Sequence, residues 1–315
     1  MSSEPDGAPA TAPGAWTAAD LPDLVGRTFI VTGGNSGLGF ETCRELARKG
    51  AHVILTARDA AKGEAAVEAI TAEQPRADVE TRVLDLADLD SVADFAESVE
   101  RADVLVNNAG VMMPQHELTK QGFELQFGVN HLGPFVLTAM LIDVLKQGTG
   151  PRVVTVSSLL HRRGRIYFHD LDGQQNYDRA KFYAQSKLAN VVFALELHRR
   201  LKSNGSGVAS VLAHPGYSAT NLQSTGPTGV VKLAMKVTTR FMAQEAAMGA
   251  LPQLYAAAHP GVESGQMFGP DGRREAKGHP KLVYPLEAAR DRELAKRLWD
   301  VSEELTGMRF SLAGR

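Results

Sequence analysis

Short β-branched runs alternate with amphipathic segments along nearly the whole of this chain, and that alternation limits the folds open to it. FIVT (29–32) precedes a segment at 38–49, HVILTA (52–57) one at 60–73, VETRVLDL (79–86) one at 88–100, and DVLVNNAG (103–110) one at 118–147. RVVTVSS (152–158) precedes 178–202, and GVASVLAHPG (207–216) precedes a helix around 229–257. GQMFG (265–269) reads as a final short strand before a last helix at 285–305. Apolar strands joined through helices indicate a parallel sheet covered on both faces. Right-handed crossovers then wind the sheet outward in two directions. The expected fold is α/β, a single-domain Rossmann-type doubly wound parallel sheet of about seven strands with helices on both faces.

No linker or internal repeat divides the 315 residues, so 21–315 reads as one domain. Residues 1–20, rich in Ala, Pro, Gly and Ser, read as a disordered lead without the basic start or apolar run of a signal peptide. No stretch reaches the roughly 18 uninterrupted apolar residues of a membrane span. A net charge of −2 supplies no electrostatic reason to expect nucleic acid. The single Cys43 excludes an internal disulfide, fits a cytoplasmic setting and reads as a buried structural thiol. The nine histidines show no H-x-x-x-H or H-E-x-x-H spacing, so no metal is expected.

TGGNSGLG (32–39) lies between the first strand and its helix, the context in which a glycine-rich turn holds a dinucleotide. Gly33 allows the tight turn, Gly37 lets backbone approach a pyrophosphate, and Gly39 permits close contact of helix and strand. The helix N-terminus adds N–H groups and the positive end of its dipole. The spacing is G-x-x-x-G-x-G, and the plain alternative is an ordinary βα turn. At the end of the second strand, TARD (56–59) has Ala57 and Arg58 where an NAD site carries a carboxylate for the ribose 2′-hydroxyl. An arginine pairs with a 2′-phosphate, so NADP is favoured over NAD, with a solvated surface arginine as the alternative.

In FYAQSKLANVVF (182–193), Tyr183 and Lys187 stand one helical turn apart beside an apolar stripe. An ammonium near a phenol favours the phenolate and lowers its pKa, which makes the tyrosine usable as an acid or base.

TGGNSGLG, NNAG (107–110), Asn130, VSS (156–158), YAQSK (183–187) and HPG (214–216), in that order, resemble the short-chain dehydrogenase/reductase family over about residues 26–270. HDL (169–171), YxxSKLANV (183–191) and FELQFGVNHLGPF (123–135) look most like its retinol-dehydrogenase-like branch. The resemblance implies a catalytic set of Ser158, Tyr183, Lys187 and Asn130. Ser158 is favoured over Ser157 as the residue that polarises the carbonyl oxygen. Asn130 supports a proton relay to Lys187, and Lys187 also bonds the nicotinamide ribose. The implied nucleotide contacts are Gly33, Asn35, Ser36, Gly37, Leu38, Gly39, Arg58, Asp85, Leu86, Asn108, Ala109, Gly110, Tyr183, Lys187, Pro215, Gly216 and Thr220. For Asp85 an N-cap role is an equal reading. Lys62, close to Arg58 in the chain, is a further candidate contact.

The 24 residues between Ser158 and Tyr183 exceed the family's usual spacing, and could wall the pocket or cover the outer surface. The Leu, Val, Met and Phe content of the expected lid at about 220–245 points to an apolar small-molecule carbonyl or alcohol. Membrane-bound retinol dehydrogenases carry a hydrophobic N-terminal anchor that this chain lacks, which points away from retinoids themselves. Reduction of a conjugated C=C bond and non-catalytic NADP sensing are the alternatives. Many relatives are dimers or tetramers, so a homo-oligomer stays open.

Overall fold

The computed structural model describes residues 16–217 and 246–312; Thr220 and the expected lid lie outside the described residues. The strands are β1 (Thr28–Val31), β2 (His52–Ala57), β3 (Asp78–Val83), β4 (Val104–Asn107), β5 (Arg152–Val156), β6 (Ala209–Ala213), β7 (Met267–Pro270) and β8 (Pro280–Val283). They form one sheet in the order β3-β2-β1-β4-β5-β6-β7-β8. Every residue of β1, β4 and β5 is buried, as central parallel strands covered on both faces must be. The winding direction changes between β1 and β4, which opens a crevice at their C-terminal ends.

The helices are α1 (Gly37–Arg48), α2 (Ala60–Glu73), α3 (Leu89–Glu97), a single turn α4 (Leu125–Phe127), α5 (Gly133–Leu145), α6 (Arg179–Ser203), α7 (Ala246–Ala258) and α8 (Arg292–Thr306). Leu125–Leu145 has the length and apolarity of a membrane span, but 78% of its apolar window is buried inside the fold. Its hydropathy is therefore that of a core helix. The carboxylate of Asp178 starts α6 by accepting from the N–H groups of Ala180 and Lys181, both at 2.9 Å.

Three expectations need correction. The sheet has eight strands, because β8 pairs antiparallel with β7 at the edge. Its Pro280, Lys281, Leu282 and Val283 lack the apolar run that marks the central strands. The expected helix at 118–147 begins only at Leu125, since Leu118 and Glu124 instead form an isolated antiparallel bridge. The final helix at 285–305 divides into a 3₁₀ turn, Glu287–Arg290, and α8, which is capped by Asp291.

The lead also ends earlier than its composition suggests. Trp16 is buried, edge-on to Tyr255 at 5.1 Å. Arg48 and Lys49 donate to the carbonyls of Ala18 and Ala19. Trp16→Ala is expected to lower the unfolding free energy by about 3 kcal/mol through the cavity it leaves. Urea denaturation of the two proteins measures this directly.

Candidate active site

The C-terminal ends of β1 and β4 are tied together by one hydroxyl. Thr32 Oγ1 accepts from the N–H groups of Asn108 (3.0 Å) and Ala109 (2.9 Å). Asn108 Nδ2 donates to the Thr32 carbonyl at 2.8 Å. Gln253 of α7 donates to Asn108 Oδ1 (3.2 Å) and Thr42 Oγ1 (2.6 Å), joining a third element. Gly33 has φ +65° and lies so near Ala109 that a Cβ would stand 3.1 Å from it. A Cβ on Gly39 would collide with the Gly33 carbonyl oxygen. The turn and the start of α1 thus approach as closely as backbone can. Asn35, Ser36 and Gly37 remain half-buried at this edge, Leu38 turns into the core, and the Ser36 side chain makes no capping bond to α1. The N-terminus of this 12-residue helix keeps its N–H groups for an anion.

Arg58 is exposed just beyond β2, where Ala57 is buried. The neighbouring Asp59 carboxylate is engaged as the N-cap of α2, accepting from Lys62 N at 3.2 Å. The Asp85 carboxylate accepts from Ala87 N at 2.9 Å and does not cap α3; Asp88 does. Leu86 is buried against Gly133.

Two of the four expected catalytic residues, Asn130 and Lys187, meet beside Gly110. A Cβ on Gly110 would lie 3.0 Å from Asn130 Oδ1 and 3.3 Å from Lys187 Nζ. Asn130 occupies a π-helical turn, Gly128–Leu132, between α4 and α5. A helix widened in this way points a side chain where an α-helix would not, and such turns concentrate at functional sites. Asn130 accepts from Val111 N (2.7 Å) and donates to Val111 O and Ser186 Oγ (both 2.9 Å). Ser186 in turn donates to the Tyr183 carbonyl at 2.9 Å.

Ser157 Oγ donates to the Lys187 carbonyl at 2.8 Å and is buried, so it anchors the helix. Ser158 is half-buried and is a side-chain partner of the Tyr183 phenol. The two serines thus have different surroundings.

α6 is buried almost without interruption from Phe182 to Ala194, which leaves no wet face next to the Tyr183–Lys187 pair. The insert after Ser158 supplies the cover. Gly164 lies against Ala184 and Leu188, and Tyr167 N donates to Gln185 Oε1 at 2.7 Å. This burial reverses the expected pKa order. Desolvation pushes the Tyr183 phenol up to about 12, against the opposing hydrogen bond with Ser158. Desolvation also brings the Lys187 ammonium down to about 8. The Lys187 Nζ lies 5.8 Å from the centroid of the Tyr183 ring and donates to Val156 O at 3.3 Å.

Spacing alone did not single out Ser186, Gln253 or Thr32. The signal for Thr32 and Ser186 lay inside the quoted motifs, but their partners are 76 and 56 residues away. Gly216 has φ +68°, and its turn is held by Gly216 N donating to His214 Nδ1 at 3.2 Å. Pro215 and Gly216 are half-buried at the end of β6, on the same edge. Among the described residues no three His, Cys, Asp or Glu side chains are grouped to hold a metal.

The family model for short chain dehydrogenases matches residues 27–229. Retinol dehydrogenase 12 of Mus musculus is 40% identical over 293 residues, covering 91% of this chain and 88% of the relative. Retinol dehydrogenase 13 of Homo sapiens is 42% identical over 295 residues, covering 90% of this chain and 86% of the relative. The crystal structure of an uncharacterised protein from Mycobacterium paratuberculosis aligns with a TM-score of 0.79 at 45% identity, covering 94% of this chain and 98% of that one. A short chain dehydrogenase from Burkholderia cenocepacia in complex with NADP aligns with a TM-score of 0.61 at 25% identity, covering 78% of this chain and 96% of that one.

Holding Lys187 buried has a cost with a definite pH signature. Its folded pKa lies near 8 against an ordinary 10.5. Between these values the unfolded chain binds a proton that the folded chain does not, so stability rises with pH across the window. Below pH 8 the whole penalty, about 3 kcal/mol, is present. Lys187→Met is expected to raise the unfolding free energy by up to that amount at pH 7, the gain shrinking toward pH 10. Urea titrations at the two pH values check it.

Proposed function

Because this chain belongs to the short chain dehydrogenase family, we propose that it is an NADP-dependent oxidoreductase interconverting a carbonyl and an alcohol on an apolar small molecule. That it is an oxidoreductase of the CH–OH and C=O class follows from the family itself. The observation that carries the finer reading is the meeting of Asn130, Lys187 and Gly110 beside Tyr183 and Ser158, at the crevice where the sheet changes direction.

The glycine cradle fits a dinucleotide: Gly33 and Gly37 are half-buried with φ +65° and +57°, and the N-terminus of α1 starts at the same edge. Gly33, Asn35, Ser36, Gly37, Leu38 and Gly39 would hold its pyrophosphate. Asn108, Ala109, Gly110, Pro215 and Gly216 would border its ribose and nicotinamide, and Asp85 and Leu86 its adenine. When bound, the nicotinamide supplies or accepts the hydride. Support for NADP comes from Arg58, from the engagement of Asp59 in capping, and from neighbours such as the Burkholderia cenocepacia protein solved with NADP. Support for an apolar substrate comes from the names of the retinol dehydrogenase relatives and from half-buried Val111 and Met112 next to the site.

In this reading Ser158 donates to the substrate oxygen and stabilises the charge that grows there. Tyr183 Oη delivers the proton to that oxygen in reduction, or takes it in oxidation. A phenol kept neutral by burial starts as the acid. Lys187 lies one turn on, and its charge favours the phenolate left behind. Asn130 is locked by Val111 and Ser186, and faces Lys187 across Gly110 as the inner end of a proton relay.

Tyr183→Phe is expected to reduce NADPH-dependent turnover of an aldehyde and ketone panel by 10²- to 10⁴-fold, on the order of the usual general-acid contribution. NADPH binding, read by nucleotide fluorescence, should persist. Equal loss of both would sink the assignment of Tyr183 as proton donor. Including conjugated enones in the panel tests the C=C alternative. Arg58→Ala should weaken NADPH binding by roughly 10- to 100-fold, the worth of a charge-assisted bond, and leave NADH binding nearly unchanged.

A further inference from the structure

The hairpin between β7 and β8 reaches back to the edge of the sheet where the site lies. Glu275 on this hairpin touches two separate loops. Its Oε2 accepts from His214 Nε2 at 3.0 Å. Arg162 Nη2 donates to both of its carboxylate oxygens at 2.8 Å. His214 opens the turn that continues through Pro215 and Gly216. Arg162 lies four residues beyond Ser158, in the 3₁₀ turn that Ser158 caps.

The geometry defines the protonation state of the pair. Gly216 N donates to His214 Nδ1, so that nitrogen is an acceptor and Nε2 carries the proton. His214 is therefore a neutral imidazole donating to an ionised Glu275. Burial keeps the imidazole from charging, and the bonds from His214 and Arg162 hold the Glu275 carboxyl down near 2.

The backbone around this carboxylate is unusual. Arg274 and Glu275 both lie in the left-handed region, with φ +56° and +57°, although neither is glycine. Consecutive residues there cost energy that the surroundings must offset. The hairpin also fits by close approach. A Cβ on Gly269 would collide with the His214 ring, and one on Gly216 with the Ala276 carbonyl, which accepts from Tyr217 N at 2.8 Å.

We propose that Glu275 is a positioning residue, a strut on the C-terminal hairpin that ties the Ser158 loop through Arg162 to the His214–Gly216 turn. This rests on the reading above, in which Ser158 meets the substrate and Pro215–Gly216 border the nicotinamide. The strained backbone aims the carboxylate at both loops together, and a one-residue shift of the hairpin would release both. Neither loop needs the strut to exist; it sets their separation, and the hydride must cross that separation.

The test uses the full-length protein, NADPH, and an aldehyde that the wild type reduces. Glu275→Ala should lower kcat and weaken NADPH binding, each on the order of tenfold, the scale of a small misplacement at a reacting centre. Arg162→Ala releases only the serine side, so kcat should fall while NADPH binding stays within about twofold. Glu275→Gln keeps an acceptor for His214, so NADPH binding should return to within about threefold of wild type. The pH profile of each variant should keep the wild-type shape, since the strut exchanges no proton. Thermal melts track folding, and Arg162→Ala and Glu275→Gln decide the matter if Glu275→Ala does not fold. Kinetics and binding within twofold of wild type in Glu275→Ala would overturn the proposal. So would a uniform loss in all three variants that follows their folded fraction. A wild type that binds no NADPH would instead overturn the functional reading beneath it.

Discussion

A buried ammonium organises this molecule. Lys187 is only 4% exposed, in a stretch of helix whose residues are all buried. Removing such a charge from water is expensive unless the protein supplies oxygen partners. The Val156 carbonyl is one, and the Asn130 amide oxygen lies across Gly110 as a second pole. Placing both requires a parallel strand ending at Val156, a helix opened into a π turn at Asn130, and a glycine between them. The arrangement around Lys187 is thus the way this fold accommodates one charge. Its low proton affinity and the high one of the Tyr183 phenol share a cause, which is the dryness of α6.

The edge proposed to hold the nucleotide is built by a different principle, the close approach of backbone at Gly33 and Gly39. The parallel strands β1–β7 all end on one edge, and the change of direction between β1 and β4 leaves a crevice. Thr32, Asn108 and Gln253 lock the loops that border it, using hydroxyl and amide groups whose hydrogen-bonding capacity would be costly to leave unused when buried. Rigid loops with bare N–H groups bind an anion without first paying to order themselves. A buried hydroxyl is likewise used at Ser157, which anchors α6 through the Lys187 carbonyl.

The C-terminal quarter serves the site from outside. α8 seals the core through Trp299, which lies against Phe135 (5.2 Å), Phe193 (5.9 Å) and Phe310 (4.6 Å). The β7–β8 hairpin contributes Glu275. The insert after Ser158 lies over α6 and dries it, with Phe168 beneath the Arg297 guanidinium at 3.9 Å.

Much of this was legible in the residues alone. HVILTA coincides with β2 and 60–73 with α2, because hydrophobic period and capping are local properties. The glycine turn and the tyrosine–lysine spacing were readable for the same reason: each motif carries its geometry within a few residues. The edge strand β8, the π turn at Asn130, the left-handed Arg274 and Glu275, and the raised pKa of Tyr183 were not. All four depend on groups outside the segment concerned: the β7 backbone, Val111, His214 and Arg162, and the insert that covers α6. The amino-acid order by itself determined which elements form and which side chains meet one helical turn apart. Tertiary structure alone decided how much water those side chains keep, and desolvation, which no local pattern encodes, sets their charge.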